Sequence, residues 1–353
     1  MIPTESHSCC YLSFLSDGTF VIVDLHSHFF PPEAATSDGP VQLRTRGDGA
    51  LELDVRGHTF VLPAALCDIV AQRKDAIAAG IDVRVLQPPP FTVLYELPAD
   101  EGKHWCRVLN DGIAEHAAAS EGSLLGFATV PLQAGGEAAA QELRRAKDLG
   151  LVGVQVLTSV CGAPLDAPEL EPFFAAATEL GMIISVHPHF VSGADRMTTH
   201  HLRNLIGNPV ETTLTAARLW TSGLLDRYPG LRIILAHGGG AFPQLALGRL
   251  QHGYDHRAEF ADVSMDPVTA ASRFHYDSAV FNPVVLNQLV ELVGADRIVV
   301  GTDFPFDMAV MRPLDLVGDP CVADGTLLDI VARTGEALLA SELSASAGPT
   351  QDQ

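Results

Sequence analysis

Four short apolar runs of this chain each end on a side chain that can hold a metal ion or move a proton, and that recurrence restricts the fold more than any other feature. Phe20-Val21-Ile22-Val23-Asp24-Leu25 closes on His26-Ser27-His28. Met182-Ile183-Ile184-Ser185-Val186 runs into His187, and Leu231-Arg232-Ile233-Ile234-Leu235-Ala236 into His237. Arg297-Ile298-Val299-Val300-Gly301-Thr302 runs into Asp303. Each run is short and β-branched or aliphatic, as strands buried on both faces are. Residues i and i+2 of a strand share a face, so His26 and His28 aim two imidazoles at one point. Neutral imidazole is the commonest protein ligand for zinc and related divalent ions. A single His-x-His is a weak signal; four such endings in one chain are a pattern.

Reading on for similar runs gives eight strands, at 20–26, 81–87, 124–130, 151–157, 182–187, 231–237, 273–278 and 297–303. Helical spacing lies between them, over Ala64–Ala79, Trp105–Ala119, Gly136–Leu149, Pro168–Leu180, Pro209–Tyr228, Phe242–Leu250, Pro283–Val293 and Leu327–Leu339. Gly150, Gly181 and Gly230 sit just past helix ends, where a left-handed residue closes the last turn. Strict alternation leaves an open doubly wound sheet or a closed (β/α)8 barrel of the TIM type. The barrel is the better reading: its strand ends all face one mouth, so the endings of strands one, five, six and eight converge. No Gly-rich phosphate loop follows the first strand, which speaks against a nucleotide-binding sheet. Residues 41–62, with a Gly47-Asp48-Gly49 turn, read as a small β-hairpin insertion after strand one. The expected organisation is an extension at 1–19, one barrel domain over 20–340 carrying that insertion, and a small polar tail at 341–353 expected to be disordered.

The chain has 353 residues, 47% of them hydrophobic, enough to bury a large core. Its formal charge of −21 argues against nucleic acid or an anionic membrane as partner, since binding phosphates needs basic patches. A small anionic molecule is compatible with it where a metal or an arginine supplies a local positive field. Six cysteines without CxxC or framework spacing read as reduced thiols. The first nineteen residues carry neither a basic n-region nor a sustained apolar stretch, and no apolar run approaches the roughly 18 residues of a membrane span. A cytoplasmic protein is expected.

The segments Asp24-Leu25-His26-Ser27-His28, His187-Pro188, His237-Gly238-Gly239-Gly240-Ala241-Phe242-Pro243 and Gly301-Thr302-Asp303-Phe304-Pro305-Phe306 together resemble the amidohydrolase superfamily. Within it they are similar to the branch of non-oxidative decarboxylases typified by aminocarboxymuconate-semialdehyde decarboxylase, over about Val21 to Ala340. The resemblance implies that His26, His28, His187 and Asp303 ligate one divalent metal, zinc in the first instance and manganese as the alternative. His237 would stand beside it as the acid/base residue, with Asp303 a second proton-transfer candidate and the glycines after His237 leaving room for substrate. A second metal in this superfamily usually needs a carboxylated lysine ending strand four; here Leu157 is followed by Thr158-Ser159, so one ion is expected. His189, Arg196, Phe304 and Arg249 are the candidates for substrate contact. Arg196 lies in a loop like the family's after strand five, and Arg249 resembles the arginine that family homodimers offer across their interface. The insertion departs from the family: Val61 stands where the muconate-semialdehyde enzymes carry a substrate-binding arginine. A bidentate carboxylate contact needs that guanidinium, so a monocarboxylic, aromatic or more apolar acid is the expected substrate.

The implied activity is metal-dependent loss of CO2 from a small unsaturated or aromatic acid, the metal acting as Lewis acid and His237 as proton donor. Hydrolysis of an amide, lactone or imine by the same metal-bound water is the alternative chemistry, and a non-catalytic metal-binding barrel the remote one.

Overall fold

Eight parallel strands close on themselves in the computed structural model, which describes residues 20–319, 326, 329–340 and 343. They are β1 (Val23–His28), β2 (Val83–Gln87), β3 (Leu124–Ala128), β4 (Gly153–Leu157), β5 (Ile183–His187), β6 (Arg232–Leu235), β7 (His275–Asp277) and β8 (Ile298–Val299). Each pairs with its neighbour in chain order, and bridges at Asp24–Val300 and Ser27–Phe304 join the last strand to the first. Strand residues alternate between two apolar layers, as a period of two requires. Val85, Phe127, Ile183, Ile234 and Val299 share an inner cluster with Leu338 and Leu339. Leu86, Ala128, Ile184, Ile233, Leu235 and Ile298 pack outward in the larger cluster shared with the helices. The closed barrel expected from the alternation is the fold observed.

Local differences have local causes. β1 begins at Val23 rather than residue 20 and carries one extra residue against β2, the register shifting between Asp24 and Ser27. Such a bulge re-aims side chains at a strand end. β6 and β8 stop short of 237 and 303, because His237 (φ 56°) and Asp303 (φ 59°) have left-handed backbones that cannot continue a strand. The insertion has a third strand: Val41–Thr45, Leu51–Val55 and His58–Leu62 form an antiparallel sheet. It buries Val41, Leu53 and Val55 against Phe30, Leu66 and Trp105. The helix expected from Trp105 starts at Ala99, with Asp100 and Glu101 favouring its positive N-terminal end. Gly223, at φ 71°, interrupts the helix expected over 209–228. The extension at 1–19 falls outside the described residues, as does the tail apart from Leu343.

Next to the barrel's seam lies a buried ion pair. Arg84, fully buried, donates to Asp24 Oδ2 at 3.0 Å and to Asp75 Oδ2 at 2.8 Å. Thr302 Oγ1 donates to the same Asp24 oxygen at 2.7 Å.

His275 at the start of β7 is buried, and burial, then Arg297, push its pKa down to about 4 against a weaker pull from Asp296. Its folded pKa lies below the unfolded value near 6.5, so the unfolded chain takes the proton first. Stability from this group is therefore complete above the unfolded value and is lost as the pH falls towards 4. Between pH 7 and pH 5 the loss is about 2 kcal/mol. His275→Gln should show an unfolding free energy that falls by that much less than the wild type's over the same interval, measured by denaturant titration.

Candidate metal centre

The bulge in β1 lets His26 and His28 reach one point, where His187 from the end of β5 and Asp303 beyond β8 join them. One potential ligand atom from each of these four buried residues lies within 4.8 Å of all the others. His26 Nε2 and His28 Nε2 are 3.2 Å apart, and Asp303 Oδ1 lies 3.0 Å from His28 Nε2 and 3.4 Å from His26 Nε2.

The other nitrogen of each ring decides what this convergence means. His26 Nδ1 faces Asp277 Oδ2 at 2.5 Å. His28 Nδ1 faces the Pro88 carbonyl at 3.3 Å, and His187 Nδ1 the Pro188 carbonyl at 2.8 Å. Carbonyls and carboxylates only accept, so each Nδ1 carries a hydrogen, and in the neutral ring each Nε2 then presents a lone pair. Three lone pairs and a carboxylate oxygen then face one another in a buried space, which is repulsive without a cation between them. His187 Nε2 and Asp303 Oδ1 have no hydrogen-bond partner among the described residues. The 3.0 Å approach of Asp303 Oδ1 to His28 Nε2 is thus lone pair against lone pair. Three nitrogens and one oxygen, each ring fixed from behind, suit a divalent ion. Burial lowers the pKa of His28 and holds that of His187 well below the usual value. Burial opposes charge on His26 too, but the facing carboxylates of Asp277 and Asp303 outweigh it and push its pKa up to about 10. Proton and metal ion compete for that ring.

His237 stands at the edge of this group, its Nε2 3.5 Å from Asp303 Oδ2 and its side chain 16% exposed. Its left-handed backbone is held from behind: His237 N and Gly238 N donate to the two oxygens of Asp277, each at 2.9 Å. The glycines that follow are fixed by the protein's own packing. A Cβ would lie 2.3 Å from Val280 at Gly238, 2.6 Å from Tyr276 at Gly239 and 2.2 Å from the Pro209 carbonyl at Gly240. None of the three leaves room for a side chain, while the backbone at Gly240 lines a cavity beside His237. Burial raises the Asp303 carboxyl, but the neighbouring His237, His26 and His28 imidazoles outweigh it and hold it well below the usual carboxylate range.

Above the four donors opens a cavity of about 740 Å³. One wall is aromatic and continuous with the cluster. The Phe306 ring lies 4.9 Å from His28, Phe91 6.0 Å from Phe306, and Phe60 stacks on Phe91 at 4.5 Å. His189, His201 and Arg203 line the cavity from the loop after β5, and burial, then Arg203, push the His189 pKa down to about 4. A smaller cavity of about 380 Å³ meets the first at His237 and Asp303.

Of the substrate-contact candidates, His189 is in place. Phe304 is not: its ring covers the buried Arg84 guanidinium at 4.6 Å, and Phe306 takes the expected position. Arg196 and Arg249 are exposed and line neither cavity. Val61 is 56% exposed and also outside, whereas its neighbour Phe60 lines the wall. Asp277, Arg203 and Phe306 were not foreseen. Asp277 carried the same signal as the others, since Phe274-His275-Tyr276 runs into an acidic side chain at a strand end. No second cluster of potential ligands occurs among the described residues.

A family model described as amidohydrolase matches residues 23–324. A relative from Dictyostelium discoideum named 2-amino-3-carboxymuconate-6-semialdehyde decarboxylase is 31% identical over 305 residues, 84% of each chain. A gamma-resorcylate decarboxylase from Rhodococcus jostii is 35% identical over 225 residues, covering 57% of this chain and 66% of its own. Among solved structures, a dihydroxybenzoic acid decarboxylase from Polaromonas with bound manganese and the inhibitor 2-nitroresorcinol superposes with a TM-score of 0.75. It is 24% identical, over 93% of this chain and 99% of that one.

The donor set predicts about one divalent ion per chain after chelator treatment and reloading, read by elemental analysis; a value near two would contradict it. His187→Ala, which removes one donor and leaves the rest, should lose metal and activity together.

Proposed function

The chain belongs to the amidohydrolase family, and from that premise we propose that it is a metal-dependent, non-oxidative decarboxylase of a small aromatic or unsaturated carboxylic acid. The observation that carries this reading is a buried set of three histidines and an aspartate on the floor of an aromatic-walled cavity that His237 also lines. His26, His28, His187 and Asp303 hold one divalent ion. Zinc suits three imidazoles and a carboxylate; manganese is supported by the Polaromonas relative. Such an ion supplies Lewis-acid polarisation of a substrate oxygen.

The rest falls to the chain's own residues. Phe306, Phe91 and Phe60 orient a flat substrate and keep water from its face. Carbon that loses CO2 keeps the bonding electrons and must take up a proton, which His237 is placed to deliver. Asp303 Oδ2, 3.5 Å from His237 Nε2, orients that imidazole and is the second group within reach of the proton. His189 contacts substrate from the loop side, with Arg203 and Phe306 in the places foreseen for Arg196 and Phe304. Leu205, Leu245 and Phe281, exposed beside the smaller cavity, support a homodimer in which Arg249 serves the partner's mouth. No helix among the described residues is long and apolar enough to cross a membrane. With the charge of −21 this supports a cytoplasmic enzyme without nucleic-acid or membrane partners, its barrel forming one domain over 20–340.

A panel of hydroxybenzoates and unsaturated acids should release stoichiometric CO2 from the metal-loaded protein; product that retains its carboxyl carbon and gains oxygen from labelled water would assign hydrolysis instead. His237→Ala should keep its metal and lose about a hundredfold or more in kcat. A variant that lost the ion would make His237 a ligand.

A further inference from the structure

Asp277 is fully buried, yet each of its oxygens receives two hydrogen bonds. Oδ2 accepts from His26 Nδ1 at 2.5 Å and from His237 N at 2.9 Å. Oδ1 accepts from Gly238 N at 2.9 Å and Ala279 N at 3.1 Å. One carboxylate thus holds the ring of a cluster histidine and the backbone of the histidine beside the cluster. We propose that Asp277 is a positioning residue that couples the metal ligand His26 to the proton donor His237, fixing the tautomer of the first and the left-handed turn of the second.

Both arms follow from hydrogen-bond chemistry. A carboxylate oxygen can only accept, so it keeps the His26 hydrogen on Nδ1 and turns the Nε2 lone pair towards the metal position. His237 carries a Cβ at φ 56° and Gly238 follows at φ 61°, a conformation costly for a side-chain-bearing residue. It brings two consecutive N–H groups into convergence, and a negative charge placed at that convergence offsets the cost. The same oxygen serves both arms, so where β7 sets Asp277 fixes the His26 ring and the reach of His237 together. Gly301 secures the placement: a Cβ there would lie 2.7 Å from the Asp277 Cβ.

Asp277→Asn is the discriminating variant, because it keeps the shape and removes an acceptor. If its NH2 takes the Oδ2 place, it opposes the His237 N–H and drives the His26 hydrogen onto Nε2, towards the metal. If the NH2 takes the Oδ1 place, it opposes the N–H groups of Gly238 and Ala279. The inference rests on the metal-dependent reading above, and two readouts separate the two. Zinc affinity, measured by chelator competition, should fall about 10- to 100-fold in Asp277→Asn. At saturating zinc, kcat for the acid turned over by the wild type should remain at least tenfold down with KM changed much less, a split that loss of zinc alone would not leave. Zinc affinity and zinc-saturated kcat both within about twofold of the wild type would overturn the inference. So would normal kcat at saturating zinc, which would confine Asp277 to the metal arm. A wild type that bound no zinc would overturn the metal-dependent reading with it, whereas zinc binding without turnover of any acid would fail the function and leave the affinity arm to decide. Should the variant not fold, 15N-histidine spectra of the zinc-loaded wild type carry the test: His26 must show its hydrogen on Nδ1, and a hydrogen on Nε2 would refute the proposal.

Discussion

Everything at the mouth of this barrel depends on a narrow seam between its first and last strands. β8 is only two residues long by its pairing, and the closure rests on a few backbone hydrogen bonds. Leu25 N reaches Val300 O, His28 N reaches Phe304 O, and Thr302 N and Asp303 N both reach His26 O, at 2.7–3.0 Å. His26 and His28 lie on one side of this seam and Asp303 on the other, so a small opening would separate the donors. The buried Asp24 carboxylate braces it, accepting from Thr302 across the seam and from Arg84 on β2. A buried ion pair of this kind adds little net stability, but removing one partner typically costs about 3–5 kcal/mol because a bare charge is left behind. Its value here is geometric: it fixes where the two ends of the chain meet.

The backbone divides the side chains of the cluster into two groups. His26, His28 and His187 stand on strands, where the pleat sets the direction of the ring. His237 and Asp303 follow strands that have already ended, on left-handed residues that turn them inward. A bulged β1 and a regular β5 thus supply the nitrogen donors, and two left-handed positions supply the groups that face both cluster and cavity. Strain of this sort collects at functional sites because only dense surroundings can enforce it.

The barrel and all four donors were legible in the sequence because they obey short rules. A strand has period two, a closed barrel brings its strand ends together, and each run ended on a distinctive side chain. His237 was found the same way, and Asp277 should have been, since Tyr276-Asp277 shares the signature. The bulge in β1 was hidden, because an extra residue shows only against the register of the neighbouring strand. The wall and the cationic side of the cavity were hidden for a different reason. Whether Phe304 or Phe306, Arg196 or Arg203 faces the cavity is decided by loop turns without periodicity. Phe304 instead went to cover a guanidinium that the core had buried. The insertion was recognised as β-structure, and its third strand makes it a floor under Phe60 rather than a loose hairpin.

The charges that line the large cavity set the order in which it can fill. Asp303, Asp307 and Glu96 face it, and Arg203 is the only lysine or arginine among its lining residues. Acidic side chains thus outnumber basic ones along the cavity, inside a molecule whose formal charge is −21. A divalent ion at the three histidines and Asp303 reverses the sign of the field where the substrate must arrive. Metal loading would therefore do more than complete the cluster, since it would also make the cavity floor attractive to a carboxylate.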